Sequence, residues 1–186
     1  MVYVALLRGI NVGGKNKINM KQLKETFENR GMVNAVTYIN SGNVIFEDSE
    51  HSKAEIAEIL EKGIHEDFSL EIKVLVLSLK EYDEIMKALP DHWKNDQEMK
   101  SDVLFLWEEI DHESVLKKVT VKPEIDRVHY VPGALLWSVD KKDLTKSGSM
   151  KLPGTKLYKK MTVRNVNTAR KLCDLMKSRD GAERMK

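Results

Sequence analysis

Apolar residues recur along this chain with two periods, which alternate in a regular order. Residues 2–9 are almost wholly apolar and predict a central strand buried on both faces. Met20, Leu23 and Phe27 fall on one side of a helix predicted over residues 19–30, with Gly31 placed to end it. Two β-branched and aromatic runs, residues 35–40 and 43–47, flank Ser41-Gly42 and predict a tight hairpin. Ile56, Ile59, Leu60 and Ile64 give residues 52–68 a helical spacing, and residues 72–77 read as a further strand. The order β-α-β-β-α-β is that of the ferredoxin-like split unit, in which two helices cover one face of a four-stranded antiparallel sheet.

A similar rhythm follows. Ser78 and Glu81 form a capping box for a helix that runs to Leu89 and is ended by Pro90. Residues 91–100 are polar and irregular and read as a linker or long surface loop. Strand 102–107, helix 112–118, a hairpin of 127–131 and 135–139 around Pro132-Gly133, and a short helix 142–150 come next. Residues 162–165 lead into a last helix, 166–178, and the tail from Arg179 is expected to fray. The expected fold is therefore α+β, built of duplicated ferredoxin-like units. Residues 1–78 form the first, and residues 79–186 a degenerate second that carries the C-terminal helix.

Between the first strand and the first helix runs a glycine-rich, cationic stretch, residues 5–17. Gly9, Gly13 and Gly14 can take positive φ and let amides converge, while Arg8, Lys15 and Lys17 add charge beside them. Gly9, four residues, then Gly14-Lys15 matches a P-loop up to Asn16, which stands where a Ser or Thr should reach magnesium. The helix also starts late, after an Asn19/Gln22 capping pair, and no later strand ends in a Walker-B aspartate. Two readings stand: a nest for an anion, or a glycine turn with solvated lysines.

Composition narrows the setting. With 186 residues, 41% hydrophobic and 32% charged, the chain is of ordinary globular make-up. Its one cysteine, Cys173, has no internal partner, which fits a reducing cytoplasm. The first apolar run is too short for a signal peptide, no run reaches spanning length, and the expected setting is cytoplasmic with no membrane. The formal charge is only +2, but residues 47–71 hold nine acids against two lysines (−7) and residues 141–171 hold ten bases against one acid (+9). The basic run, with Tyr158, could attract nucleic acid, although no RNP-like aromatic motif accompanies it.

Thr37-Tyr-Ile-Asn-Ser-Gly-Asn-Val-Ile-Phe46, the stretch Ala5–Lys17 and Thr162-Val-Arg-Asn165 together resemble the bacterial family catalogued as domain of unknown function 1697. The resemblance spans nearly the whole chain. It implies a duplicated ferredoxin-like fold and no established activity. The family usually ends this last motif with a tryptophan, where Val166 stands here.

These motifs mark Arg8 and Asn11 after the first strand, Asn40, Ser41 and Asn43 in the hairpin, and Arg164 and Asn165 before the last helix. Together with Gly13, Gly14, Lys15 and Lys17 they form the expected ligand site. A set rich in donors and poor in bases suits holding a phosphate, in a nucleotide or a nucleic acid, more than moving protons. The rival readings are an enzyme acting on a small phosphorylated metabolite and a protein-interaction module. Asn and Ser beside Gly42 also suit a plain turn. The five histidines lack metal-ligand spacing, and no cofactor or metal is implied. The chain spells out no reaction and no oligomeric state.

Overall fold

In the computed structural model, which describes residues 1–183, the chain divides by contact into two units. The first comprises Met1–Tyr82 with the C-terminal part of the last helix from Leu172, and the second is Asp83–Lys171.

The first unit has strands β1 (Val2–Leu7), β2 (Val33–Tyr38), β3 (Asn43–Glu47) and β4 (Val74–Ser78), with helices α1 (Met20–Asn29) and α2 (Lys53–Phe68). Its sheet runs β2-β3-β1-β4, every pairing antiparallel, which is the ferredoxin-like order. β1 is buried along its whole length, as an apolar strand in the middle of a sheet should be. Tyr3, Ala5 and Leu7 share a core with Leu23 and Phe27 of α1 and Ile56, Leu60 and Ile64 of α2. Phe46 lies in this core, stacked on Tyr3 (5.9 Å) and edge-on to Phe27 (5.7 Å), so it offers no platform for a base.

The helices begin where the caps dictate. Asn19 accepts from the amides of Lys21 and Gln22, Ser52 and Glu55 form a reciprocal capping box, and Ser78 and Glu81 form another for α3 (Leu79–Ala88). Strand bounds shift slightly. β2 stops at Tyr38, two residues short of the expected end, because Ile39 has a left-handed φ of 49°.

The second unit repeats the topology with β5 (Met99–Leu106), β6 (Asp126–Val131), β7 (Ala134–Asp140) and β8 (Met161–Asn165), ordered β6-β7-β5-β8. The helices expected at 112–118 and 142–150 are absent. The crossovers are built from short 3-10 turns: Glu108–Ile110, Glu113–Lys117, Lys141–Lys146, Gly148–Gly154 and Leu157–Lys160. Gly148, Pro153 and Gly154 deny the second crossover a continuous α-helix, and Val119-Thr-Val121 with Pro123 cut short the first. These turns still close a core of Leu104, Leu106, Leu135, Trp137 and Leu152. The last helix, α4, runs Val166–Glu183, so residues 179–183 are helical where a frayed tail was expected; residues 184–186 lie outside the described residues.

Candidate functional site

The glycine-rich stretch folds into a miniature hairpin. The amide of Asn11 donates to Asn16 O (3.1 Å) and that of Lys15 to Val12 O (3.0 Å), with Val12 and Lys15 bridged. Gly13 and Gly14 occupy its two-residue turn with φ of 58° and 75°, both positive as a type I′ turn requires. Asn16, also left-handed, donates through Nδ2 to Gly9 O at 2.9 Å. The P-loop likeness is therefore not realised. The amides of Asn11 and Lys15 close the hairpin, and buried Ile18 and the Asn19 cap separate it from α1.

Asn11 holds the hairpin in place. Its Oδ1 accepts from Ile18 N (2.9 Å), while Nδ2 donates to Ile18 O (3.1 Å) and to Asn40 O (2.9 Å) in the β2–β3 turn. That turn is fixed in its own right. Fully buried Asn43 donates to Tyr38 O (3.0 Å) and Ser41 Oγ (2.9 Å). A Cβ on Gly42 would come within 2.7 Å of Leu7 Cβ. Asn43 and Ser41 thus serve the turn, while Asn40 faces the hairpin through its carbonyl.

Between hairpin, turn and helix start opens a shallow groove of about 580 Å³, lined by Asn11, Gly14, Lys17, Ile18, Asn19, Met20, Lys21 and Asn40. Four sequence candidates line it: Asn11, Gly14, Lys17 and Asn40. Asn19 and Lys21 were not among them, although their signal was present, since an N-cap places the next residues beside the open end of a helix. Lys15 is exposed on the hairpin, and half-buried Arg8 follows β1, its amide donating to Lys73 O (3.0 Å). Among the described residues no carboxylate pairs with Lys15, Lys17 or Lys21. No carboxylate, histidine, serine or cysteine lines the groove.

Arg164 and Asn165 belong to β8 in the second unit. Arg164 is buried and donates to Thr162 Oγ1 (2.9 Å) and Val163 O (2.8 Å), and Asn165 Oδ1 caps α4 through Thr168 N (3.0 Å). Val166, where the family carries tryptophan, is fully buried. A second hollow, about 600 Å³ in this unit, mixes signs, with His92, Lys94, Asp96, Glu98, Asp140 and Lys142.

The remaining polar groups are engaged structurally. Asp111 accepts from Tyr130 Oη (3.0 Å) and Gly133 N (2.8 Å), while His112 Nδ1 accepts from Ser114 N (3.1 Å), so the adjacent pair diverges. Cys173 is buried. Among the described residues no group of three His, Cys, Asp or Glu could hold a metal ion, and no helix is long and apolar enough to cross a membrane.

Comparison with known proteins agrees with this architecture. A solved structure of a conserved bacterial protein from Streptococcus pneumoniae superposes with a TM-score of 0.80 at 30% identity, covering 94% of this chain and 98% of that one. No functionally curated protein matches the chain. The family model stops before the Thr162–Asn165 motif, so the first two motifs carry that match. With residues 1–137 matched, the chain belongs to the family described as protein of unknown function, DUF1697.

Proposed function

We propose that the groove beside the glycine-rich hairpin binds a phosphate-bearing ligand, a nucleotide or a nucleic acid. One observation carries the reading: a groove of about 580 Å³ presents Lys17 and Lys21 and contains no acidic side chain. A volume of that order suits a small molecule. Two unpaired ammonium groups beside the N-terminal turn of α1, where helix amides carry partial positive charge, favour an anion. Lys15 and Arg8 add to the field from the flanking backbone. Asn11 acts as a brace that keeps hairpin and turn apart at a fixed width.

The same lining argues for binding over turnover. Proton transfer needs a group that titrates near neutrality within reach of the ligand, and the groove wall holds only lysines, amides and apolar side chains. An enzyme acting on a phosphorylated metabolite would have to draw its acid or base from elsewhere.

The test is fluorescence anisotropy of a labelled nucleoside triphosphate, with unlabelled nucleotides and single-stranded RNA as competitors. Wild type is compared with Lys17→Ala/Lys21→Ala. Losing two charge-assisted contacts should weaken binding by tenfold or more. Equal binding by the double variant, or no wild-type binding at millimolar ligand, would overturn the reading.

A further inference from the structure

The crossover from β7 to β8 contains more ordered cationic surface than its lack of α-helix suggests. Lys151, Lys156 and Lys159 are exposed, and among the described residues none has a carboxylate partner. Their neighbours differ: Lys146 pairs with Asp143 (3.8 Å) and Lys160 with Glu109 (2.5 Å). Lys156 and Lys159 sit three residues apart around a single 3-10 turn, joined by Lys159 N to Lys156 O (3.3 Å). In that geometry side chains at i and i+3 eclipse, about 6 Å apart along the axis. The spacing suits neighbouring phosphates on one strand.

The base of this ledge is held from inside the unit. Asp126, buried at 5% exposure, accepts from Ser147 Oγ (2.5 Å), Gly148 N (2.9 Å), Lys122 N (2.9 Å) and Trp137 Nε1 (3.2 Å). Leu152 is buried in the core, Leu157 and Tyr158 pack against it, and Thr155 caps Leu152 O through both Oγ1 (2.8 Å) and its amide (3.0 Å). The apolar residues of the segment turn inward and its lysines outward. A carboxylate is buried and four donors are committed so that a short, helix-poor stretch keeps one conformation. Mere solubility would not require that.

We infer that residues 151–160 form a binding surface for the phosphate backbone of single-stranded nucleic acid, read without regard to base sequence. Lysines act as point charges on phosphates and do not impose the fork geometry that reads base edges. With Leu152 and Leu157 turned inward, the ledge lacks the apolar face that would seat an amphipathic helix or enter a lipid surface. This surface belongs to the second unit and stands whether or not the groove of the first unit takes a nucleotide.

The experiment uses the full chain and a fluorescein-labelled RNA of about 20 nucleotides, at salt from about 50 to about 200 mM. Lys151→Glu/Lys156→Glu/Lys159→Glu is compared with Lys24→Glu/Lys62→Glu/Lys80→Glu, exposed lysines of the first unit that change net charge equally. The ledge variant should bind at least about tenfold more weakly, and the slope of log K against log salt should fall by about 2, as three lost phosphate contacts require. The control should lose no more than about threefold. Circular dichroism melts check that both variants fold. The inference is overturned if wild type does not bind RNA at the lowest salt, if the ledge variant binds as wild type does, or if both triples weaken binding alike. Nucleotide binding at the groove is measured on the ledge variant in parallel, so failure of one reading is separable from failure of the other.

Discussion

Asn11 Nδ2 lies 2.9 Å from Asn40 O, a hydrogen bond that joins the glycine-rich hairpin to the β2–β3 turn across 29 residues of sequence. The same side chain makes two bonds to the backbone of Ile18, so one amide sets the distance between three segments. Asn11 also sits at φ 53°, a conformation asparagine tolerates far better than most residues.

Asn11→Ala should therefore lose about 2–3 kcal/mol, combining the unmade hydrogen bonds with left-handed strain at alanine. Asn11→Gly relieves the strain alone and should recover about 1 kcal/mol of that loss. Urea unfolding of the two variants separates the terms, and similar stabilities would mean that the backbone conformation contributes little.

Gly148 is wedged against the first crossover of the second unit. A Cβ there would stand 1.8 Å from Thr120 O, a backbone atom that cannot swing aside. Gly148→Ala should cost more than about 3 kcal/mol. Asp126→Asn leaves the space unchanged but weakens the anchoring hydrogen bonds, and should cost about 2 kcal/mol. Thermal melts give the order, which reverses if the segment is held chiefly by charge.

At the start of α2, Asp48 and His51 are coupled through Asp48 Oδ2 and His51 Nδ1 at 3.0 Å. Burial pushes the Asp48 carboxyl up, but hydrogen bonds from the His51 ring and from the amides of His51 and Glu50 outweigh it and hold it below its ordinary value. The bond to Asp48 raises the imidazole, with Glu50 and Glu55 adding to it. The acid's contribution is present above its unfolded value, about 3.9, and is lost as pH falls through the lower folded value. That of His51 is present below about 6.5 and is lost as pH rises through its raised folded value. The melting-temperature gap between wild type and Asp48→Asn should thus be widest near pH 5–6 and narrow on both sides. A gap constant from pH 3 to 9 would show that the pair is not coupled to folding.

Asp102 on β5 is shifted the other way. Burial raises its carboxyl, and the Lys100 ammonium, 2.6 and 2.8 Å from the two oxygens, only partly offsets it. An acid with a raised folded value stabilises most at low pH and loses that contribution as pH rises through it. Lys100→Met should strip the compensation and destabilise by about 1 kcal/mol at pH 7, with little effect near pH 4. Asp102→Asn should be neutral or mildly stabilising at pH 7. Melts at the two pH values decide it, and a pH-independent loss in Lys100→Met would assign the effect to packing of the lysine stem.

Much of the fold was legible in the order of residues because it depends on short-range periodicity. The runs around Val4, Ile45 and Val76 are strands by composition, and Leu23, Phe27, Leu60 and Ile64 mark helix faces, so element type and order follow from spacing alone. Caps at Asn19, Ser52 and Ser78 lie next to what they cap and are read the same way. The candidate groove was legible only in part. That residues 5–17 turn sharply follows from three glycines, but the pattern Gly9 to Lys15 fits a nest and a hairpin equally well.

The choice between them rests on partners far away in sequence, as does the ending of the second unit's crossovers as 3-10 turns. Asn11 meets Asn40, Asp126 meets Ser147 and Gly148, and Gly148 meets Thr120, all contacts between elements that chain order leaves apart. Local sequence determined which segments become strands and helices, through side-chain period and cap chemistry. Tertiary structure decided which amides close a turn, which lysines stand unpaired and which carboxylate is buried, because only packing sets the distances on which hydrogen bonds and charges depend.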